Sequence, residues 1–247
     1  MPRLQPLRYP QRIEARYRRL LHGYVQDMKV DPKILTSDPR WRQDALADDL
    51  ADLVDALRAR FRGLWSESRI RAAVEDIYNR VNKQNVRQFN VQWSKAIPSV
   101  DPLPDPELKA AFVNENVRLI KSIDARYFDE IERLVLDAIA NGTRVESLRD
   151  DIRGRYGVSK SRASLIARDQ IGKVVGQMTR KRQQDAGVEQ ATWSTSLDER
   201  VRRTHREVEG RKYDLNGPGL LVGGKRLFPG QDYQCRCSSI PVVPGFI

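Results

Sequence analysis

The chain has 247 residues and a mass of 28.4 kDa, enough for one large domain or two modest ones. Hydrophobic residues at 40% beside charged residues at 31% exclude wholesale disorder, and no apolar run approaches the ~20 residues of a membrane helix. A net charge of +11, from 44 basic and 33 acidic side chains, favours a polyanionic neighbour without specifying a DNA-reading surface, and two cysteines exclude a disulfide-built scaffold.

The opening MPRLQPLRYPQRIEARYRRLL places arginines where a secretory signal needs an unbroken apolar stretch, so a cytosol-made, reduced protein is expected. Residues 1–100 read as long helices. From Asp38-Pro39, an N-cap and first-turn pair, Leu46, Leu50, Leu53, Leu57, Phe61 and Leu64 recur every three or four residues, the stripe of a helix packed on one face. A second stripe runs through Ile70, Val74, Ile77 and Val81, slips phase, and resumes at Val86, Phe89 and Trp93. The slip predicts a change of partner or a bend. Four prolines in 97–108 block helix continuation and mark a boundary.

An amphipathic helix follows, with Phe112, Leu119, Ile123, Tyr127, Ile131 and Leu134 on one side and Asn141-Gly142 as its left-handed stop. A shorter helix over about 144–156 is expected to end at Gly157. Another, capped by Ser159 or Ser161, runs to about 185 and closes at Ala186-Gly187, giving the pair the layout of a helix-turn-helix. Gly172 and Gly176 share a helix face and admit a second backbone at close range. Past 188 come a strand at Gln190–Thr195, a helix from Asp198 through about Glu209, loops or hairpins over 211–234, and a strand at Ser238–Val243. The fold class is α+β, mainly α. Its expected divisions are a helical N-terminal docking arm (1–100), an amphipathic helical segment (105–160) and a C-terminal module (161–247).

Four residues suited to metal or acid–base chemistry fall in the last fifty: Asp198, His205, Cys235 and Cys237. Asp198 and His205 stand two helical turns apart, with Arg202 between them at the spacing for pairing with Asp198. In an extended Cys235-Arg236-Cys237 both sulfurs point to one side. Two thiolates facing one imidazole make a candidate structural zinc site, with Asp198 or water as fourth ligand. The competing reading is a small buried hydrophobe at each cysteine and an N-cap at Asp198. No phosphate-binding Gly-rich loop, H-E-x-x-H or G-x-S-x-G occurs, so catalysis is a minority reading.

The run 167–210 followed by PGQDYQCRC resembles the phage head-morphogenesis domain of minor head proteins, the Mu protein F-like family. The shared pattern is Ala167-Arg168, Trp193 with Thr195, Asp198, Val201-Arg202, His205, Gly210, Pro229-Gly230 and Cys235-Arg236-Cys237. Asp169-Gln170 replace the threonine and glutamate that follow the Ala-Arg pair in many relatives. The helices over 106–160 are similar to the segment preceding that domain.

The resemblance implies a minor head protein of a tailed phage or prophage, at the portal or the inner capsid wall, and the missing catalytic motifs make a non-enzymatic role the expectation. Its implied partners are the portal protein, the major capsid protein and double-stranded DNA contacted non-specifically, with no membrane. Its implied place is the head interior of the virion, and the host cytoplasm during assembly. Candidate DNA contacts are Arg153, Arg155, Lys160, Arg162, Arg180, Lys181 and Arg182. Two rivals stand beside it: a metal-dependent hydrolase or nuclease centred on His205, and a non-specific nucleic-acid-binding protein using 141–190.

Overall fold

The apolar stripes become helices in the computed structural model, which describes residues 2–36, 46–100 and 105–246. In chain order these are α1 (Gln11–Asp27), α2 (Pro32–Thr36), α3 (Leu46–Leu64), α4 (Glu67–Trp93), α5 (Pro106–Ala140) and α6 (Val145–Asp185). After them come β1 (Gln190–Ser194), α7 (Arg203–Arg206), β2 (Lys212–Asp214), β3 (Leu220–Val222), β4 (Lys225–Leu227) and β5 (Ser238–Pro241). The class is α+β, mainly α, as expected. The Asp38-Pro39 start and residues 101–104 of the proline-rich stretch lie outside the described residues.

The chain forms two compact units, one of 1–15, 75–113 and 168–247, the other of 16–74 and 114–167. Residues 1–100 contribute to both. The second unit is helical, and aromatic side chains fill its core. Tyr24 meets Phe61 and Trp65 edge-on with ring centroids 4.9 and 5.1 Å apart, and Phe61 also packs on Phe128. The buried Tyr17 and Tyr24 hydroxyls donate to Asn116 Oδ1 and Asp124 Oδ1, each at 2.7 Å, so neither phenol goes unsatisfied. Burial raises the Asp124 carboxyl above the usual carboxylate range, against the lowering effects of Tyr24 and Arg62. Of the α3 stripe, Leu50 and Phe61 are buried, Leu53 and Leu57 half-buried and Leu64 exposed, while Val54, outside the expected stripe, is buried.

Gly142 ends α5 with φ 62°, and the Thr143 N–H returns to the Ala138 carbonyl at 2.8 Å, the left-handed stop read from Asn141-Gly142. The break expected at Gly157 does not occur. α6 runs unbroken from Val145 to Asp185, so there is no helix-turn-helix there. Gly154 and Gly157 have open space where a Cβ would go and lie in the helix without a positive φ. Their helical cost, about 1 kcal/mol each, is borne by a helix that buries Leu148, Ile152, Ala163 and Ala167.

The first unit holds the sheet. β1 is its centre, antiparallel to β2 on one side and to β5 on the other, while β3 and β4 form a hairpin turned by Gly223-Gly224, both at positive φ. Trp193 on β1 and Tyr213 on β2 enter a core shared with Leu4, Leu7, Phe89, Trp93, Val208 and both cysteines. A buried relay ties the layers: Tyr213 Oη donates to Ser239 Oγ and Ser239 Oγ to Gln183 Oε1, each at 2.7 Å.

The phase slip between Val81 and Val86 also has its reason. Asn82 and Asn85 fill it and accept from the guanidinium of Arg182, which is 7% exposed, while Asn85 Nδ2 donates to Thr179 Oγ1 at 2.9 Å. A polar patch interrupts the stripe because a buried cation must be hydrogen-bonded. Replacing Arg182 by alanine is therefore expected to lower stability by about 1–3 kcal/mol through the loss of its buried hydrogen bonds to Asn82 and Asn85. Retention on DNA-cellulose should match that of the parent. Reduced DNA retention with an unchanged thermal midpoint would instead mark Arg182 as a surface cation.

Candidate functional site

The site lies in the first unit, where a one-turn helix meets a loop pinned to a long one. α7 is shorter than expected because Arg202 is extended (φ −61°, ψ 146°). Its guanidinium donates to Asp232 Oδ2 at 2.9 Å and to the Tyr233 carbonyl at 2.6 Å. It therefore pairs with Asp232 rather than with Asp198. The turn that remains presents His205, 2% exposed, to the core.

The loop 229–237 rests on the face of α6 that Gly172 and Gly176 leave bare. A Cβ at Gly176 would stand 2.4 Å from the Pro229 carbonyl oxygen, and one at Gly172 2.5 Å from that of Cys235. Asp169 Oδ1 accepts from the Gln234 backbone N–H at 2.9 Å, holding Gln234 in the left-handed region (φ 51°) just before Cys235. The departure at Asp169 thus has a structural task here.

These supports bring three of the four expected residues together. His205 Nδ1 lies 3.3 Å from Cys237 Sγ and 3.6 Å from Cys235 Sγ, and the three donor atoms all fall within 4.8 Å of one another. Asp198 is not among them. Arg236 holds it in a two-pronged ion pair at 2.7 and 2.8 Å, and that guanidinium keeps its carboxyl below the usual range. Its side chain also accepts from the Arg200 N–H at 3.1 Å, turning the chain ahead of α7.

The carboxylate that reaches the imidazole is Asp232, whose Oδ2 lies 3.0 Å from His205 Nε2. A carboxylate only accepts, so Nε2 carries a hydrogen and Nδ1 is the nitrogen facing the sulfurs. Asp232 was legible in the quoted PGQDYQCRC run, three residues before Cys235, but spacing alone did not single it out.

The cluster shifts its own protons. A hydrogen bond from Cys237, supported by His205, lowers the Cys235 thiol to about 5 against the opposing effect of burial. Cys237 moves the other way, raised by its bond to that sulfur and by burial. The Cys235 sulfur also raises His205, although burial alone would lower it. Asp232 stays ionised below the usual range: burial would raise it, but the Tyr233 N–H, His205 and Arg202 outweigh that. Trp193 closes the inner side, its ring edge-on to His205 with centroids 5.7 Å apart. On the outer side Arg168, Arg200, Arg202 and Arg236 line a cavity of about 130 Å³ that the imidazole and both cysteines also line.

The candidate DNA-contacting residues have different surroundings. Arg182 is buried, Arg180 lies over the Phe228 ring at 3.5 Å, and Lys181 pairs with Asp185. Arg153 pairs with Asp150, Arg155 with Glu130, and Arg162 donates to Ser122 Oγ. Lys160 is exposed.

Geometry therefore defines a class: a mainly helical chain that seats a buried His–Cys–Cys cluster against a small antiparallel sheet. Residues 129–240 match the family described as Phage Mu protein F like protein, a stretch that contains the whole cluster. Over that stretch the chain is similar to that family, and the resemblance to phage minor head proteins is borne out.

Three curated relatives are similar to it. An uncharacterized protein of Haemophilus influenzae is 36% identical over 128 residues, 52% of this chain and 28% of its own length. The NAD(+)--arginine ADP-ribosyltransferase EFV of Enterococcus faecalis is 28% identical over 174 residues, 64% of this chain and 36% of that protein. Minor head protein GP7 of Bacillus phage SPP1 is 26% identical over 170 residues, 62% of this chain and 53% of its own. The chain thus spans from about a quarter to about half the length of these relatives. No solved structure matches.

Proposed function

We propose that the protein is a minor component of a tailed-phage or prophage head, with a structural role at the portal or the inner capsid wall. The observation that carries this reading is the Mu protein F-like stretch 129–240, together with the similarity to a protein named as a minor head protein. The site suits a structural task. His205, Cys235 and Cys237 are 2, 4 and 9% exposed, so a substrate larger than the small cavity beside them has poor access to the imidazole or the sulfurs. The partners in this reading are the portal and major capsid proteins, and its place is the virion.

Contact with packaged DNA would be weak, sequence-indifferent and steeply salt-dependent. It would draw on the +11 net charge rather than on a dedicated surface, because most candidate cations already have partners within the chain.

Co-expression with the portal and major capsid proteins of the same phage tests the assignment. The protein is expected to sediment with procapsids and to co-purify with one of the two. A chain that stays unassembled beside complete procapsids would overturn the proposal. The Enterococcus relative's name supplies the enzymatic rival. Incubating the purified protein with NAD+ and an arginine acceptor should transfer no ADP-ribose, and transfer would replace the structural reading.

A further inference from the structure

We propose that His205 Nδ1, Cys235 Sγ and Cys237 Sγ hold a zinc ion whose fourth ligand, water or a small anion, comes from the arginine-lined cavity. The inference rests on donor geometry and stands whether or not the protein belongs to a phage head.

Zinc bonds of about 2.0–2.1 Å to nitrogen and about 2.3 Å to sulfur at tetrahedral angles put nitrogen and sulfur roughly 3.5 Å apart. The two such separations here are 3.3 and 3.6 Å. A hydrogen-bonded cluster of three neutral groups does not require both sulfurs to face one nitrogen, whereas a shared cation does.

The surroundings match the same task. A metal-ligating histidine ordinarily donates its other ring N–H to a carboxylate, which fixes the ring and its tautomer, and Asp232 occupies that position at 3.0 Å. Arg202 in turn holds Asp232, at 2.9 Å. The thiols arrive on a loop anchored by backbone contact at Gly172 and Gly176 and by the Asp169–Gln234 bond, which hold both sulfurs against the imidazole. Two thiols with an imidazole are a soft set that favours zinc over calcium or magnesium. When the ion binds, the thiols release their protons to solvent as they become thiolate ligands, and the Nε2 hydrogen stays on the imidazole, donated to Asp232.

Asp198 does not serve as the fourth ligand, because Arg236 takes both its oxygens. The cavity of about 130 Å³ offers room for a few waters at ~30 Å³ each, or for an inorganic phosphate, and its four arginines favour an anion there.

The test uses the full chain purified under reducing conditions. Elemental analysis should find zinc near one per chain, with Cys235 and Cys237 slow to alkylate until a chelator is added. Cobalt loaded in place of zinc should give thiolate-to-metal charge transfer in the near-ultraviolet and the visible bands of a tetrahedral site. Inorganic phosphate should shift those visible bands. Asp232→Asn is expected to weaken cobalt binding about 10–100-fold with the far-ultraviolet dichroism unchanged. Asp198→Asn should leave binding unaltered.

Cobalt spectra without charge transfer, or thiols equally reactive with and without chelator, would overturn the site itself. Unchanged affinity in Asp232→Asn would remove the positioning role of Asp232. Visible bands indifferent to phosphate would remove the anion and leave water as the fourth ligand. Neither the wild-type spectra nor the Asp232 variant depends on a cysteine substitution that folds.

Discussion

Gly176→Ala is expected to lower the stability of the unit holding the sheet by about 2–3 kcal/mol, and to expose both thiols to alkylation, although the same change elsewhere in α6 stabilises. The added methyl would stand 2.4 Å from the Pro229 carbonyl oxygen and 3.2 Å from Gly230 Cα. Both are backbone atoms, with no rotamer to move aside. Gly230, at φ 85°, is itself held close, since a Cβ there would come within 2.8 Å of the Gly172 carbonyl oxygen. Relief therefore requires moving the loop that carries Cys235 and Cys237.

Gly157→Ala is the internal control. Nothing stands within 4 Å of its Cβ position, so helix propensity alone acts and should raise stability by roughly 0.5–1 kcal/mol. Opposite signs for the two variants in thermal or urea unfolding, with faster thiol labelling only in Gly176→Ala, are the expected result. A Gly176→Ala protein as stable as its parent would show that the loop does not rest on this helix.

Trp193→Ala should cost more, about 3–5 kcal/mol, the usual loss for a large aromatic removed from a closed core. Trp193 is fully buried on the central strand, where it joins the cluster formed by Phe89, Trp93, Val208 and the two cysteines. Its ring also backs the imidazole of His205, so the cavity left behind lies directly behind the cluster. Urea unfolding followed by far-ultraviolet dichroism gives the size of the loss, and proteolysis should cut first within 190–246. Trp193→Phe keeps most of the apolar volume and should lose much less. An alanine variant within 1 kcal/mol of the parent would contradict the packing described.

Much of the site was legible before any coordinates. Gly172 and Gly176 share a face by helical arithmetic, and only a bare face admits another backbone so closely. Cys235 and Cys237 lie two apart and were expected to face an imidazole, as they do. Asp198 was misassigned for a physical reason: its spacing to His205 assumed one helix from 198 to 209, and Arg202 leaves the helical region to reach Asp232 and Tyr233. Once that turn opens, Asp198 meets Arg236 and the carboxylate near the imidazole comes from a residue 27 positions away.

Periodicity, helix stops and residue types are local properties, and by themselves they determined the mainly helical character, the Asn141-Gly142 and Gly187 stops, the central strand and the bare face of α6. Tertiary structure alone decided that α6 passes through Gly157, that Arg182 is buried among asparagines, and that Asp232 rather than Asp198 meets His205. Each of those outcomes balances a local cost of about a kilocalorie or a charge against contacts with residues far away in sequence, and no short window of the chain contains both sides of that balance.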